Sequence, residues 1–164
     1  MQVDMGEKSI VMSDQSRMKV YFVSFVLCSS RMMYIHYSTR AYNTDLFMAA
    51  HLAAFHYFGG IPQAGIYDQT KLVVISEEYR EVLYNEKFQR FFLNLGFKAE
   101  VCKGYDPQSK GMVEKSIDYI KESFLHGREF KGIEDLRQES EHWLLAVANV
   151  REHQTTLQPP VVLM

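Results

Sequence analysis

The chain has 164 residues, of which 47% are hydrophobic and 23% charged, and its formal net charge is -2. That is the size and composition of one ordinary globular domain, which excludes extended disorder and excludes a chain that grips nucleic acid by bulk positive charge. Cys28 and Cys102 sit in apolar runs with no second Cys or His at ligand spacing, so two buried free thiols in a reducing compartment are expected.

The first residues carry no apolar signal run. The longest apolar stretch, Val20 to Cys28, is interrupted by Ser24 and is too short to span a bilayer. Gln2 to Met12 reads as a strand, Asp14-Gln15-Ser16 as a turn, and Met18 to Cys28 as a central strand apolar on both faces. After Ser29-Ser30-Arg31, Met32 to Ser38 reads as a third strand, so an antiparallel meander is expected. The period then changes from two to nearly four. Asn43 or Thr44 caps a helix to about Phe58, with Phe47, Ala50, Ala54 and Phe58 on its inner face and Gly59-Gly60 as its stop.

Ala64 to Tyr67 reads as a fourth strand entered by a parallel crossover and ending at Asp68. Leu72 to Ile75 favours a strand, whereas Glu77 to Tyr84 reads as a helical turn or a mobile link. Asn85 caps a helix to Leu95 that is expected to bury Phe88, Phe91, Phe92 and Leu95, and Phe97 to Cys102 reads as the fifth strand. A loop from Gly104 to Lys110 precedes a helix from near Gly111 to Leu125, striped by Val113, Ile117, Ile120 and Phe124. The last helix, Ile133 to Val150, is expected to bury Leu136, Trp143, Leu144 and Val147, and the tail with Pro159 and Pro160 is expected to be loose. The fold class is α/β: a mixed five-stranded sheet of three antiparallel strands, then helix-strand-helix-strand-helix-helix.

Three carboxylates stand where this topology can gather them. Asp4 lies in the first strand, Asp68 ends the fourth, and Glu114 lies one turn into the third helix. First and fourth strands are expected to be neighbours, with the helix packed over their ends. Glu114 is rotated by about 100° from Val113, which puts it at the edge of the buried face, with Asp118 one turn further on. Converging carboxylates repel unless cations sit among them, and hard oxygen ligands suit Mg²⁺ or Mn²⁺, two ions in all.

The local sequence around each carboxylate resembles the integrase catalytic core shared by bacterial transposases and retroviral integrases, a ribonuclease-H-like fold. It is most similar to the transposases of the IS21 insertion-sequence family. The resemblance rests on Gln2-Val3-Asp4-Met5-Gly6-Glu7, on Tyr57-Phe58-Gly59-Gly60-Ile61-Pro62 with Tyr67-Asp68, and on Tyr105-Asp106-Pro107-Gln108-Ser109-Lys110-Gly111-Met112-Val113-Glu114. Ala148-Asn149-Val150-Arg151 and His153 also fit. It implies a DDE site in which Asp4, Asp68 and Glu114 hold the metal and carry catalysis. The implied chemistry is hydrolysis at an element end to give a 3′-hydroxyl, followed by attack of that hydroxyl on target DNA. It further implies DNA as partner (element ends and target), a homo-oligomer in the full-length protein, an ATPase helper protein, and a place in the bacterial cytoplasm with the nucleoid, away from membranes.

This sequence departs from that pattern at three points. Gln69 stands where Asn is common after the second aspartate, Met5 where an aromatic is common, and Asp106 where a basic residue is common. Residues 1–152 are read as the catalytic core and 153–164 as a tail or the start of a further domain. Full transposases of this type carry an N-terminal DNA-binding region, so an excised piece or a truncated gene product is expected. The segment Leu72 to Glu81 is expected to hold an insertion or a mobile flap.

Lys71, Gln108, Ser109, Lys110, Lys115 and Lys121 are the candidate contacts to DNA phosphates. His36, His51 and His56 lack a zinc spacing and read as structural or surface groups. Two other readings stay open beside the transferase: a ribonuclease-H-like nuclease that cuts without joining, and an inactive module for DNA or protein assembly. A nucleotide enzyme is disfavoured because no Gly-rich phosphate loop follows any strand.

Overall fold

Strand β1, Gln2–Met12, runs through the middle of the main sheet and carries its longest pairing. It pairs antiparallel with β2, Arg17–Val26, which pairs antiparallel with β3, Met33–Ser38. On its other side β1 pairs parallel with β4, Ala64–Tyr67, and β4 pairs parallel with β7, Lys98–Val101. The order β3-β2-β1-β4-β7 contains the five expected strands of a mixed sheet that has six in all. The computed structural model describes residues 1–68, 70–78, 81–101 and 115–164.

Helix α1, Thr44–Phe58, is capped by the Asn43 side chain, which accepts from Leu46 N–H, and ends on Gly59 at φ 71°. Helix α2, Glu86–Leu95, is built alike: Asn85 accepts from Lys87 and Phe88 N–H, and Gly96 at φ 74° closes it. Both cover one face of the sheet. There Val3, Val23, Phe25 and Tyr67 pack with Phe47, Ala50, Phe55, Phe88 and Phe97. Phe91 and Leu95, expected in the core, are only half-buried, because the inner face of α2 is narrow and centred on Phe88 and Phe92.

The other face is covered by α3 and α4. Helix α3 is described over residues 115–125, with a π-helical stretch at Ile120–Leu125. Helix α4, Ile133–Trp143, runs on as a π-helical stretch, Leu144–Ala148. Their buried residues Ile117, Ile120, Phe124, Leu136, Trp143 and Leu144 pack on Ile10, Val20, Phe22, Ile35 and Tyr37. The wide turn alters which residues face inward. Ala148 is buried and Val147 is 41% exposed, the reverse of what an unbroken α-helix would give.

Gly6 faces this second core at a close approach. A Cβ there would come within 2.5 Å of the Phe22 ring, so the glycine leaves room for an aromatic on the paired strand.

Three further differences from expectation have local causes. After Asp68, β5 (Val74–Glu78) pairs antiparallel with β6 (Glu81–Tyr84), so the described residues between Glu77 and Tyr84 are strand rather than helical turn. The base of this strand pair is packed on the core: Val73 and Val74 are buried, and Tyr84 Oη donates to Ala99 O at 2.8 Å. A two-residue strand, β8 (Glu129–Phe130), pairs parallel with the end of β1 and is too short to show alternation. The tail is tied rather than loose: Val161 N–H donates to Asn149 O at 3.0 Å, Pro160 is buried, and Pro160–Val162 form a short 3-10 turn. Cys28 is a free, half-buried thiol, less enclosed than expected, and Cys102 lies outside the described residues. Among the described residues, no helix is long and apolar enough to cross a membrane.

Candidate active site

The parallel pairing of β1 with β4 registers Gln2 with Ile66 and Val3 with Tyr67. Asp4 and Asp68 are the next residue on each chain. Adjacent strands lie about 4.8 Å apart, so the two carboxylates start from neighbouring backbone positions although 64 residues separate them in sequence. Both line one open cavity of about 500 Å³ at the C-terminal end of β4, together with Phe47, Tyr67, Thr70 and Lys71. Asp68 is exposed and Asp4 half-buried, and Asp4 Oδ1 accepts from Met5 N–H at 2.8 Å.

Strand alternation orients Asp4. Its neighbour Val3 belongs to the α1–α2 core, so Asp4 shares the opposite face of β1 with Gly6, Lys8 and Ile10. That face is the one over which α3 runs. Ile10 packs with Ile117 and Phe124, and Lys8 Nζ donates to Lys121 O at 3.0 Å. Glu114, which immediately precedes the described part of α3, lies outside the described residues, as do Gln108, Ser109 and Lys110.

Asp68 is steadied from behind. Tyr67 is fully buried, and its hydroxyl pairs with His51 Nε2 at 3.0 Å while His51 Nδ1 meets Phe47 O at 2.7 Å. A carbonyl can only accept, so Nδ1 carries the proton and Nε2 accepts from the tyrosine. Burial pushes the His51 pKa down to about 4, which keeps the ring neutral, and burial also raises Tyr67. His51 is thus structural, as its lack of metal spacing implies. Gly65 contributes by having no side chain: a Cβ there would lie 2.4 Å from Tyr67 Oη.

Ser24 is registered opposite Asp4 on β2, buried, with a hydroxyl that has no hydrogen-bond partner among the described residues. Ser24 and Thr70 stand outside the candidates that the sequence names. Ser24 could have been found by sliding β1 against β2, since a polar residue mid-way through an apolar strand marks a special position. Of the candidate lysines, Lys71 lies with the two aspartates; Lys115 is exposed and lines a different cavity, and Lys121 is half-buried.

The donor set at the aspartate cavity is carboxylate and hydroxyl oxygen, with no histidine or thiol among its described lining. Such a set fits a hard divalent cation and not zinc. Among the described residues no three His, Cys, Asp or Glu side chains gather closely enough to share an ion.

No family model matches the chain. It is 40% identical over 159 residues, 97% of its length, to the transposase for an IS21-like insertion sequence element of Bacteroides fragilis. It is 35% identical over 95% of its length to a relative from insertion sequence element IS5376 of Geobacillus stearothermophilus. It spans only 31% and 39% of those two proteins, roughly a third of each. Among solved structures, a chain of the simian T-cell lymphotropic virus intasome, in complex with PP2A regulatory subunit B56 gamma, superposes with TM-score 0.67 at 16% identity, covering 99% of this chain and 53% of that one. The HTLV-2 integrase catalytic core domain in complex with magnesium superposes with TM-score 0.57 at 12% identity, over 99% and 93% of the two chains. The chain therefore has the ribonuclease-H-like fold of integrase catalytic cores and is related in sequence to the transposases of IS21-type insertion sequences.

Proposed function

We propose that this chain is the catalytic core of a DNA transposase, a polynucleotidyl transferase in which Asp4, Asp68 and Glu114 hold two divalent cations, Mg²⁺ or Mn²⁺. The observation that carries this is the pairing of β1 with β4, which sets Asp4 and Asp68 side by side in one cavity. Two carboxyl groups there, joined by an incoming phosphate, make a site that calls for cations. Glu114 completes the shell in this reading. Its support is that α3, from residue 115 on, packs over the sheet face that Asp4 occupies.

When bound, the ions lower the pKa of the attacking hydroxyl and stabilise the charge that develops on the phosphate. The chain's own groups position. The Tyr67–His51 pair holds the end of β4, Asp4 is held by its place in mid-strand, and Lys71 lies where it can meet a phosphate oxygen. In the first reaction water attacks phosphorus and the bond to the departing 3′-oxygen breaks, leaving a 3′-hydroxyl. In the second that hydroxyl attacks a target phosphodiester, joining the strands and releasing a target 3′-hydroxyl. Lys115, Lys121, Gln108, Ser109 and Lys110 are further DNA contacts in this reading, with residues 1–152 as the core. The full-length protein acts as a homo-oligomer on element ends and target DNA, with an ATPase helper, in the cytoplasm.

Asp68→Asn tests the assignment, because it keeps size and removes charge. In the protein that carries this chain, the variant is expected to lose Mn²⁺-dependent cleavage and joining of a labelled DNA end by at least about a thousandfold, with its melting temperature unchanged. Undiminished turnover would sink the proposal. Cleavage without joining by the wild type would favour the simple nuclease, and properly folded wild type that takes up no Mn²⁺ would favour an assembly module.

A further inference from the structure

A second cavity of about 340 Å³ opens between the β2–β3 turn, α3 and the segment after α4. Its lining brings together Arg31, Lys115, Arg151 and His153 from three separate parts of the chain, with Glu152 as the acid among them. Among the described residues, a chain of net charge -2 thus gathers three formal positive charges against one negative at a single concave site. Lys115 and Arg151 make no ion pair among the described residues.

The basic groups are held, not merely near one another. The Arg151 guanidinium lies over the Tyr119 ring, 3.8 Å from its centroid, which leaves the guanidinium edge to donate hydrogen bonds. Tyr119 itself lines the cavity, and its buried hydroxyl has no hydrogen-bond partner among the described residues. Arg31 sits in the turn at φ 67°, a conformation that L-residues rarely adopt, with its N–H donating to Leu27 O at 2.9 Å. His153 is pinned by its backbone to Leu157 and Gln158, and its Nδ1 accepts from Thr155 N–H at 3.2 Å. Nε2 of the neutral ring therefore carries the proton and is a donor. Burial, and then the charges of Arg31 and Arg151, hold the His153 pKa below its ordinary value, a mark of how close both guanidiniums stand.

We propose that this cavity is an oxyanion subsite in which Arg31, Lys115, Arg151 and His153 hold a phosphodiester of a nucleic-acid strand engaged at Asp4 and Asp68. The proposal rests on the transferase reading and adds to it a phosphate grip between the β2–β3 turn, α3 and the segment after α4. The geometry suits one strand reaching both places. Val26, which lines the wall of the cavity nearest β1, is registered with Gln2, two residues along β1 from Asp4. Strand rise and spacing put that wall about 8 Å from the Asp4 backbone, a nucleotide or two along a strand. A cluster with planar guanidiniums, an ammonium and a neutral N–H donor matches tetrahedral phosphate oxygens and offers little to a base edge, so the contact is sequence-independent.

Binding of a fluorescently labelled DNA duplex to the 164-residue chain, followed by anisotropy across a salt series, tests this. Arg151→Gln is expected to weaken binding about tenfold and to lower the slope of log K against log salt by about 0.9, as loss of one phosphate contact requires. Lys115→Gln, on a different element, is expected to do the same, and Arg151→Lys to recover part of the loss. Melting temperatures separate these effects from misfolding. Unchanged affinity and salt slope in both Gln variants overturns the subsite. So does a cavity that takes up inorganic phosphate, seen by NMR shifts at Tyr119 and His153, while the Gln variants keep full DNA affinity. Failure of the carboxylate reading shows elsewhere, as Mn²⁺ uptake that survives Asp68→Asn.

Discussion

The two faces of the sheet are held by different means. On one, α1 and α2 each begin on an asparagine whose side chain caps the first turn and end on a left-handed glycine. Between them lies an aromatic box in which Phe25, Phe47, Phe55, Phe88, Phe91 and Phe97 all contact the His51 ring. On the other, α4 starts at Gly132 with no side-chain cap, and α3 and α4 both widen into π-helical stretches. The first face is specified by short local signals and the second by what the helices meet after docking. Asp68 hangs from the first face through Tyr67, whereas Asp4 and α3 belong to the second. The candidate site is therefore assembled at the junction of a pre-set half and a fitted half.

If the second face depends on tertiary fit, breaking its largest polar tie should cost more than any single change to a local signal. That tie is Asn149. Its Oδ1 accepts from Met33 N–H at 2.8 Å, and its Nδ2 donates to Met33 O at 2.9 Å and to Tyr57 Oη at 3.0 Å, all in a residue 2% exposed. Asn149→Ala leaves buried donors and acceptors without partners and is expected to destabilise the chain by about 4 kcal/mol. Urea denaturation at pH 7 measures it, and a loss under 1 kcal/mol would mean that the end of α4 is not fixed through this residue.

The aromatic face makes a distinct prediction, in pH. His51 titrates near 6.5 when unfolded and near 4 when buried, so below pH 6.5 the unfolded chain binds a proton that the folded chain refuses. Stability from this group is full above pH 6.5 and falls by about 3 kcal/mol as pH drops to 4, at about 1.36 kcal/mol per unit. Other groups titrate over the same range, so the informative quantity is the difference between wild type and His51→Leu in parallel denaturation series. The variant should show the shallower decline. Equal slopes would mean that the His51 ring takes up its proton in place, and that the Tyr67 anchor behind Asp68 is looser than the packing implies.

The same contrast explains what the amino-acid sequence reveals. Asn43, Gly59, Asn85 and Gly96 act on their own nearest turns, so both helices of the first face, and the crossover strand that ends at Asp68, can be read directly. Val147, expected in the core, is exposed because a π-turn shifts the helical phase, and it does so only where neighbouring groups impose it. The β5–β6 pair is only half legible, through Leu72 to Ile75, for another reason: among the described residues its strands pair with each other alone and leave Ile75 and Leu83 more than half exposed. At the site, strand order was enough to bring Asp4 beside Asp68. The positions of Ser24, Arg31 and Arg151 depend on strand register and on the route of the chain after α4, which periodicity does not carry.

The smallest expected effect probes the local code itself. Asn85 Oδ1 accepts from Lys87 N–H at 3.1 Å and from Phe88 N–H at 3.3 Å, satisfying two of the donors that a helix leaves open at its start. Asn85 N–H in turn donates to Val73 O at 2.8 Å, a bond that any residue but proline keeps. Asn85→Ala therefore removes the cap and a long 3.5 Å bond from Asn85 Nδ2 to Thr44 Oγ1, and should cost about 1 kcal/mol, with Asn85→Asp close to neutral because aspartate caps equally well and gives up only that long bond. If the alanine variant instead loses as much as Asn149→Ala, then α2 is also held mainly by its docking, through Phe88 and Phe92. The division between a locally coded face and a fitted one would then fail at the helix that best illustrates it.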